Sequence, residues 1–401
     1  MSTENQISDA KNHFEGLMRA QLERVERIKN QGDWTDYSKV EKVRIGLLGG
    51  DGIGPQITED SKNVLAELLK DELEKGKVEF VNIEGLTIEN RAKHLKAIPD
   101  DVLEEIKSCD VTLKGPTTTP EKGDNWPNIE SANVGMRKEL DLFANVRPVK
   151  VPEQNIDWVF FRENTEDSYA LGSQGIEING ELAMDFKVIT SVGSQRIIEA
   201  AFNHARNTGR KRVSVVTKAN ILKKTDGLFL EEAEKIASNF PEIEWDSWYI
   251  DIMTANLIDE ARRSSFEVFV MPNLYGDILT DEAAQIQGGV GTAGSANLGK
   301  KHAMFEAIHG SAPRMLKEGR AHFANPSSMI KAGAMLLEHI GYTELGQKLD
   351  KALSICSQFE KKLIITGRAD GVTGEEYGKY VLETVRDKDI NSKYERLSKG
   401  K

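Results

Sequence analysis

Three aspartates in the second half of the chain have the spacing and the chemistry of metal ligands. Asp277 and Asp281 lie four residues apart in NLYGDILTDEAAQ, so a helix would place both carboxylates on one face. Asp251, in YIDIMTANL, is predicted at the end of a strand. Carboxylate oxygens suit Mg²⁺ and Mn²⁺, although a solvent-exposed acidic face would carry the same residues without a function. The three acids together favour a metal site.

Three arginines are candidates for binding an acidic ligand. They are Arg137 in SANVGMRKELD, Arg147 in LFANVRPVK and Arg162 in FFRENTEDSY. A guanidinium group can bind a carboxylate through two parallel hydrogen bonds. Although isolated surface arginines are the alternative, three on neighbouring segments of an acidic chain indicate a ligand with several carboxylates.

Lys218 in VVTKANIL and Tyr169 at the end of FFRENTEDSY are candidates for proton transfer. Most lysines are simply solvated and most tyrosines simply packed. Beside a divalent cation, which lowers the proton affinity of nearby groups, the two form a plausible acid–base pair. A further segment, GGDGIGPQI (49–57), does not fit the G-x-G-x-x-G dinucleotide pattern, so a structural turn and a cofactor loop both remain open.

Composition limits the class of protein. The chain has 401 residues, and this length predicts two lobes or domains. A net charge of −11 argues against nucleic acid or an anionic membrane as a partner. We expect no membrane span and no signal peptide, and therefore a cytoplasmic location. Cys109 and Cys356 are expected to be buried and unpaired.

Strand and helix patterns alternate along most of the chain. An amphipathic helix is predicted over 8–30, a linker over 32–39, and further helices over 56–75 and 100–108. Strands are predicted at 43–50, 78–85, 110–115, 157–164, 212–218, 245–251 and 266–273. This alternation indicates an α/β protein with a largely parallel sheet, whose functional sites gather at the carboxyl ends of the strands.

Residues 43–385 resemble the isocitrate/isopropylmalate dehydrogenase family of β-decarboxylating dehydrogenases. The motifs that carry the resemblance follow the family order: GDGIGP, LKGPTTTP, SANVGMRKELDLFANVRP, FRENTEDSY, TKANILK, NLYGDILTD, FEAIHGSAP and ANP. The resemblance implies two α/β lobes around a mixed, largely parallel sheet, rather than a Rossmann fold. It also implies an N-terminal extension (1–40), a cofactor-binding domain (41–142 plus 288–401), and a small domain (143–287) with the dimer interface and a short clasp near 170–192.

The resemblance assigns a role to each candidate residue. Ser131, Asn133, Arg137, Arg147 and Arg162 would bind the substrate, and Tyr169 and Lys218 would be catalytic. Asp251, Asp277 and Asp281 would hold Mg²⁺ or Mn²⁺, with Lys218 and Asp251 supplied by the partner in a homodimer with shared active sites.

The implied reaction is the oxidative decarboxylation of the tricarboxylate isocitrate to 2-oxoglutarate. Asn133 favours isocitrate, because the isopropylmalate branch has apolar residues in this segment. Homoisocitrate, isopropylmalate and tartrate remain alternative substrates. A non-catalytic regulatory subunit is a further alternative, which the full set of catalytic and metal-binding residues disfavours.

The resemblance also predicts a nicotinamide cofactor. The residues implied in binding it are Thr118, His309, Gly310, Ser311, Ala312, Pro313, Arg314, Met315 and Asn325. Members that use NAD⁺ usually have Asp where this chain has Arg314, and a cation favours the 2′-phosphate of NADP⁺. The Tyr–Arg pair that completes the phosphate site in bacterial members is missing from TGRADGVTG, so NADP⁺ is preferred only slightly over NAD⁺.

Three features depart from the family pattern. The loop at 121–130 is longer than in bacterial isocitrate enzymes, and the segment between Tyr169 and Lys218 is short, which implies a reduced clasp. The N-terminal helix lies outside the resemblance.

Overall fold

The computed structural model describes residues 2–120, 123–172, 174–289 and 293–399. Residues 121 and 122 of the long loop therefore lie outside the described residues. The chain divides into two compact units. The first unit comprises residues 1–33, 143–145 and 158–280, and the second comprises residues 34–142, 146–157 and 281–401.

The strands form a mixed, mostly parallel sheet. Within the described ranges they are β1 Val43–Leu48, β2 Val78–Asn82, β3 Val111–Lys114, β4 Ala144–Val151, β5 Ile156–Glu163, β6 Ile176–Ile178, β7 Leu182–Met184, β8 Arg212–Thr217, β9 Glu244–Tyr249, β10 Val268–Met271, β11 Gly294–Leu298 and β12 Ala303–Ala307. Ten of them have the order β2-β1-β3-β12-β11-β4-β5-β10-β8-β9, while β6 and β7 form a separate antiparallel pair. Only β11 and β12 run antiparallel among the neighbours β1–β2, β1–β3, β3–β12, β11–β12, β5–β10, β8–β10 and β8–β9. The predicted α/β fold with a mixed, largely parallel sheet is confirmed.

Helices flank the sheet. The described residues form α1 Thr3–Lys29, α2 Gly54–Leu68, α3 Lys70–Glu74, α4 Ile88–His94, α5 Asp100–Lys107, α6 Ala132–Glu139, α7 Ser191–Thr208, α8 Thr225–Ala237, α9 Ile250–Ile258, α10 Asn273–Gln287, α11 Pro313–Lys317, α12 Ser327–His339, α13 Thr343–Ser354, α14 Gly374–Val385 and α15 Ile390–Lys399. Among them, no helix is long and apolar enough to cross a membrane.

The first unit has an aromatic core. Trp158 and Phe160 of β5 pack with Phe269 of β10, and the rings of Phe160 and Phe269 are stacked with centroids 4.4 Å apart. All four residues of β10 are buried, as is typical of a parallel strand that is covered on both faces.

The N-terminal helix α1 belongs to the first unit, where it contacts α7 and β6. Its Leu17 and Ile28 are buried, and the ring of Phe14 lies 5.1 Å from that of Phe186. The amphipathic pattern therefore predicted this helix correctly, and the helix packs within its own chain.

In the second unit, three parallel neighbours bring three loops to one edge. The strands β1, β3 and β12 run in the same direction, so the segments that follow them emerge together. These segments begin at Gly49, Gly115 and Ile308. The buried helix α12 covers β11 and β12 and fixes their position. Cys109 and Cys356 are buried and unpaired, as predicted.

Candidate active site

The carboxylate of Asp277 joins the predicted functional residues of the first unit. One of its oxygens accepts a hydrogen bond from Arg162 Nη1, and the other accepts one from Tyr169 Oη at 2.6 Å. The guanidinium carbon of Arg162 lies 5.3 Å from the centre of the Tyr169 ring. Arg162, which is predicted to bind the substrate, and Tyr169, the predicted proton donor, therefore both contact the predicted metal ligand Asp277.

Arg162 is fixed by the start of α10. Its side chain is 1% exposed, and its Nε donates to Asn273 Oδ1 at 2.8 Å. Gly276 allows this approach, since a β-carbon there would lie 2.4 Å from Arg162 Cγ. The end of β5 and the first turn of α10 thus set the direction of the guanidinium group.

The acidic residues of FFRENTEDSY have structural roles. Asp167, at a φ of +65°, accepts hydrogen bonds from the backbone N–H groups of Ser168 at 2.8 Å and Leu274 at 2.9 Å. Glu166 accepts from the backbone N–H of Thr190 at 2.9 Å. Both carboxylates are fully buried, so they hold the loop and the start of α10 and do not face a ligand.

Glu163 lies in the same buried loop. Its carboxylate accepts hydrogen bonds from the backbone N–H groups of Thr165 at 2.9 Å and Glu166 at 2.6 Å. Burial, followed by the neighbouring charge of Glu166, raises the pKa of Glu163 to about 7. This carboxyl group therefore titrates close to neutral pH.

Lys218 and Asp251 form a second pair in the first unit. Lys218 Nζ lies 2.5 Å from Asp251 Oδ1, and this hydrogen bond lowers the pKa of Asp251. The prediction that Asp251 ends a strand is wrong, because β9 ends at Tyr249 and Asp251 lies in the first turn of α9. The apolar run around Asp251 is compatible with either element.

The three predicted metal ligands match a hard cation by donor type. Asp277, Asp281 and Asp251 have side chains that are 41%, 63% and 58% exposed, so their oxygens are open to a ligand. Asp277 and Asp281 lie one turn apart on α10. Among the described residues of this single chain, however, no three His, Cys, Asp or Glu side chains are grouped to hold a metal.

A buried charge cluster lies in the second unit. Glu306 of β12 lies 3.5 Å from Lys114 Nζ and 3.5 Å from Arg137 Nη2, and it accepts a hydrogen bond from Asn297 at 2.8 Å. Burial alone would raise the pKa of Glu306, but the charges of Lys114 and Arg137 outweigh it and lower that pKa. Two cations thus surround one carboxylate.

Arg137 lies in helix α6 with Asn133, and Ser131 is the residue that immediately precedes this helix. Ser131 and Asn133 are half-buried, and Asn133 Oδ1 accepts a hydrogen bond from Thr117 at 3.3 Å. The Nε of Arg137 is buried and has no hydrogen-bond partner among the described residues. An incoming anion would relieve that unsatisfied donor.

Arg147, on β4, contacts the last predicted metal ligand. Its Nη1 donates to Asp281 Oδ1 at 3.2 Å, and its own side chain is buried. Arg137, Arg147 and Arg162 are all buried, so they are not isolated surface arginines.

The second unit also contains an open pocket of about 570 Å³ among the predicted cofactor residues. Its lining residues are Ile53, His309, Gly310, Ala312, Met315, Phe323, Asn325, Ile365, Thr366 and Gly367. Ala312 has a left-handed backbone, and Pro313 follows it as the first residue of α11. The largely apolar walls and the volume fit one end of a nucleotide.

Thr118 and Ser311 connect this pocket to the loop after β3, because their hydroxyl groups lie 2.9 Å apart. The glycine-rich segment after β1 packs against the same loop, at Ser311. Gly52 has a φ of +60°, and a β-carbon there would lie 1.9 Å from the Ser311 carbonyl oxygen. The glycines of GGDGIGP thus form a tight turn against the loops predicted to bind the cofactor.

Arg314 lies on α11, and its side chain is 86% exposed. Its Nε donates to Glu318 Oε1 at 2.6 Å. Glu318 also accepts from Arg320 Nε at 2.8 Å. The cation predicted to favour a 2′-phosphate therefore already has an anionic partner.

Sequence reasoning missed several residues that hold the site together. Asp51 accepts hydrogen bonds from the backbone N–H groups of Ile88 at 2.8 Å and Thr118 at 2.7 Å. The fully buried Arg91 donates to the carbonyl oxygens of Ala97, Thr118 and Glu130. A charged residue in a glycine-rich or apolar context is a sequence signal for Asp51 in GGDGIG and for Glu306 in AMFEA, whereas the polar segment around Arg91 gives none.

Comparisons with known proteins agree with these motifs. A family model described as isocitrate/isopropylmalate dehydrogenase matches residues 44–378. The chain is 36% identical to homoisocitrate dehydrogenase of Methanocaldococcus jannaschii, over 86% of this chain and 99% of that protein. It is 38% identical to 3-isopropylmalate dehydrogenase of Methanothermobacter thermautotrophicus, over 78% of this chain and 90% of that protein. The crystal structure of isocitrate dehydrogenase from Methylococcus capsulatus is similar with a TM-score of 0.74 and 34% identity, over 86% of this chain and 100% of that one.

Proposed function

Since this chain belongs to the isocitrate/isopropylmalate dehydrogenase family, we propose that it is an isocitrate dehydrogenase that converts isocitrate to 2-oxoglutarate and CO₂. The family makes it a decarboxylating dehydrogenase. Its relatives carry the names of three different substrates, so their names do not select one. The substrate has to be argued from the residues of this chain.

The observation that carries the proposal is the environment of α6. Arg137 has a buried Nε without a partner among the described residues, and Ser131 and Asn133 lie half-buried on the same helix segment. A third carboxylate would pair with these donors. The alkyl group of isopropylmalate could not pair with the buried Arg137 Nε, and a buried unsatisfied group costs roughly 1–3 kcal/mol.

The chain's own residues supply binding and proton transfer. Arg137, Arg147 and Arg162 bind the substrate carboxylates, and Lys218 takes the proton of the hydroxyl group. After CO₂ leaves, Tyr169 delivers a proton to the enolate carbon. The contact between Tyr169 and Asp277 supports this role, because it holds the phenol beside a predicted metal ligand.

Asp277 and Asp281 would hold a divalent cation, with Asp251 from a second copy of the chain. A bound Mg²⁺ or Mn²⁺ would polarise the hydroxyl and carboxylate oxygens of the substrate, and a bound nicotinamide would accept the hydride. Thr118, Ser311, Ala312, Met315 and Asn325 would hold the cofactor together with the rest of HGSAPRM.

We also propose a homodimer with shared active sites. Among the described residues of one chain, Asp251 is not grouped with Asp277 and Asp281, and a dimer would allow the second copy to supply it. Mixing an inactive Lys218→Met chain with an inactive Tyr169→Phe chain should restore activity, because one site in the mixed dimer keeps both groups. A mixture that stays inactive under subunit exchange would contradict shared sites.

Homoisocitrate is the second candidate substrate, because the homoisocitrate dehydrogenase relative aligns over nearly its full length. This acid has the same three carboxylates with one additional methylene. One methylene in a pocket discriminates by only about 10- to 200-fold. The two acids therefore have to be compared directly.

The decisive experiment is an assay of isocitrate, homoisocitrate, 3-isopropylmalate and tartrate with Mn²⁺ and both nicotinamide cofactors. We expect the highest kcat/KM for isocitrate. Asn133→Leu should lower it and reduce the discrimination against isopropylmalate. A higher kcat/KM for any of the other three acids would overturn the assignment.

For the cofactor, we propose a slight preference for NADP⁺ that depends on the charge of Arg314. Arg314→Asp should reverse this preference, as measured by kcat/KM for NADP⁺ and NAD⁺. A wild type that prefers NAD⁺ and a substitution without effect would together refute the electrostatic argument. We propose a cytoplasmic location for the enzyme.

A further inference from the structure

The N-terminal helix α1 lies before the family match, which begins at residue 44, yet one of its side chains reaches the active-site loop. Arg24 is 16% exposed, whereas the carboxylate that it contacts, on Glu166, is 1% exposed. The two residues are 142 positions apart in the sequence. This helix therefore contributes a buried contact to the segment that carries Arg162 and Tyr169.

Arg24 makes two hydrogen bonds in this loop. Its Nη1 donates to Glu166 Oε1 at 2.8 Å, and its Nη2 donates to Thr165 Oγ1 at 2.8 Å. Thr165 Oγ1 also accepts from Arg196 at 2.9 Å and donates to Glu163 Oε1 at 2.6 Å. A hydroxyl group has one hydrogen and two lone pairs, so these three bonds satisfy the hydrogen-bonding capacity of the Thr165 hydroxyl group.

Two guanidinium groups lie beside the two buried carboxyl groups of this loop. Arg24 pairs with Glu166, while Arg196 donates to Thr165 and its charge opposes the effect of burial on the pKa of Glu163. Removing Arg24 would leave two buried carboxylates with one guanidinium group. The backbone between Arg162 and Tyr169 would then lose both a charge partner and a hydrogen-bonded anchor.

A short series of contacts links Arg24 to Arg162. The backbone carbonyl of Glu166 accepts a hydrogen bond from Asn273 Nδ2 at 3.3 Å, and Asn273 Oδ1 accepts from Arg162 Nε at 2.8 Å. The geometry points to Arg24 as a positioning residue, which fixes the 163–167 loop so that Arg162 and Tyr169 keep their contacts with Asp277. This inference rests on the proposed function for the roles of those two residues.

The test compares Arg24→Met and Arg24→Lys with Arg19→Met, a control on the same helix whose exposed arginine pairs with Glu15. Arg24→Met should lower kcat by about 10- to 100-fold, because small misplacements of catalytic groups are costly. It should also accelerate amide hydrogen exchange in residues 163–169. Arg24→Lys should recover part of both effects, and Arg19→Met should change neither. Unchanged exchange in 163–169 for Arg24→Met would overturn the proposal.

The double variant Arg24→Met/Glu166→Gln separates positioning from charge balance. It restores one carboxylate per guanidinium group, so the protein should regain thermal stability while kcat stays about 10-fold or more below wild type. A return of both stability and kcat to wild-type values would show that Arg24 only compensates charge, and would refute positioning. The assays use whichever acid the wild type oxidises best, and exchange needs no substrate. A failure of isocitrate as substrate therefore remains distinguishable from a failure of this inference.

Discussion

Each compact unit buries a carboxylate cluster, and the two clusters differ in their balance of charge. In the second unit, Glu306 is surrounded by Lys114 and Arg137, and its pKa is lowered because the two cations outweigh burial. In the first unit, Glu163 lies beside Glu166, and its pKa is raised to about 7 by burial and by that neighbouring charge.

The difference matches the proposed roles of the two clusters, substrate binding in the second unit and support of a loop in the first. In the second unit, two basic side chains surround one carboxylate, and Arg137 Nε has no hydrogen-bond partner among the described residues, so an incoming anionic ligand can pair with it. In the first unit, the guanidinium groups of Arg24 and Arg196 bind the side chains of Glu166 and Thr165, so their hydrogen bonds serve the loop itself. This difference supports the proposal that the second-unit cluster, with its buried and unpartnered Arg137 Nε among the described residues, binds the substrate.

The largest expected effect is that of Tyr169→Phe, at the residue that follows the first-unit loop. Tyr169→Phe removes the phenolic proton and should lower kcat by about 10²- to 10⁴-fold, the usual contribution of a general acid. Substrate affinity should remain close to wild type, because Arg162 still contacts Asp277. Steady-state kinetics and calorimetric binding of the substrate measure the two quantities. Weaker binding with an intact kcat would contradict the role of Tyr169.

The next prediction compares the pH dependence of the two clusters. The folded-state pKa of Glu163 is raised from 4.5 to about 7, so its contribution to stability is present below pH 4.5 and is lost as pH rises through 7. Relative to Glu163→Gln, the free energy of unfolding of the wild type should fall by roughly 3 kcal/mol over this range. Urea unfolding at several pH values measures this slope.

Glu306→Gln is the matched variant, for which the pH dependence of the free energy of unfolding should have the opposite sign. The pKa of Glu306 is lowered, so its contribution is present above pH 4.5 and is lost as pH falls through the folded-state value. If the free energy of unfolding, relative to each variant, changed with pH in the same direction for both clusters, the proposed difference between them would be wrong.

Arg137→Gln should lower kcat/KM by less than Tyr169→Phe lowers kcat, because it removes one proposed contact between the second-unit cluster and the substrate. Loss of one charge-assisted hydrogen-bonding group costs about 1.5–3 kcal/mol, so kcat/KM should fall roughly 10- to 100-fold. Lys138→Gln is the control on the same helix, since Lys138 pairs with Glu130 at the surface. Similar losses for both variants would indicate a general effect on α6, contrary to a specific role for Arg137.

The smallest expected effect concerns the exposed group on α11. Glu318→Gln releases Arg314 from its ion pair and should raise the NADP⁺ to NAD⁺ ratio of kcat/KM by roughly twofold to fivefold, because solvent screens exposed ion pairs. Glu375→Gln breaks a similarly exposed pair with Lys379 on α14 and is the control. A decrease in the ratio for Glu318→Gln would contradict the competition between Glu318 and the phosphate.

The sequence predicted the fold, but it did not predict the local contacts of the candidate site. Continuous apolar runs such as VFVM indicated buried parallel strands, and α1 followed from its helical spacing. Asp251 was placed in the wrong element because strand and helix boundaries are not defined by an apolar run alone. Its neighbour Lys218 lies just after β8, as predicted.

The supporting residues could not be predicted because their roles depend on tertiary contacts. Helical spacing places Arg24 on the same face as the buried Leu17 and Ile28, unlike the exposed Arg19, but it does not identify the partner of the guanidinium group. Its function as a partner of Glu166 exists only once segments 142 residues apart have folded together. Asp51 likewise acquires its role from two backbone N–H groups in other loops.

The close packing at Gly276 reverses a common rule of protein engineering. A glycine inside a helix usually costs about 0.5–1 kcal/mol relative to alanine, so Gly→Ala is a standard choice for raising thermostability. At position 276 the added methyl group would lie 2.4 Å from Arg162 Cγ and would displace the arginine from Asp277. A design that optimises helix propensity along α10 would therefore trade turnover for rigidity at this position.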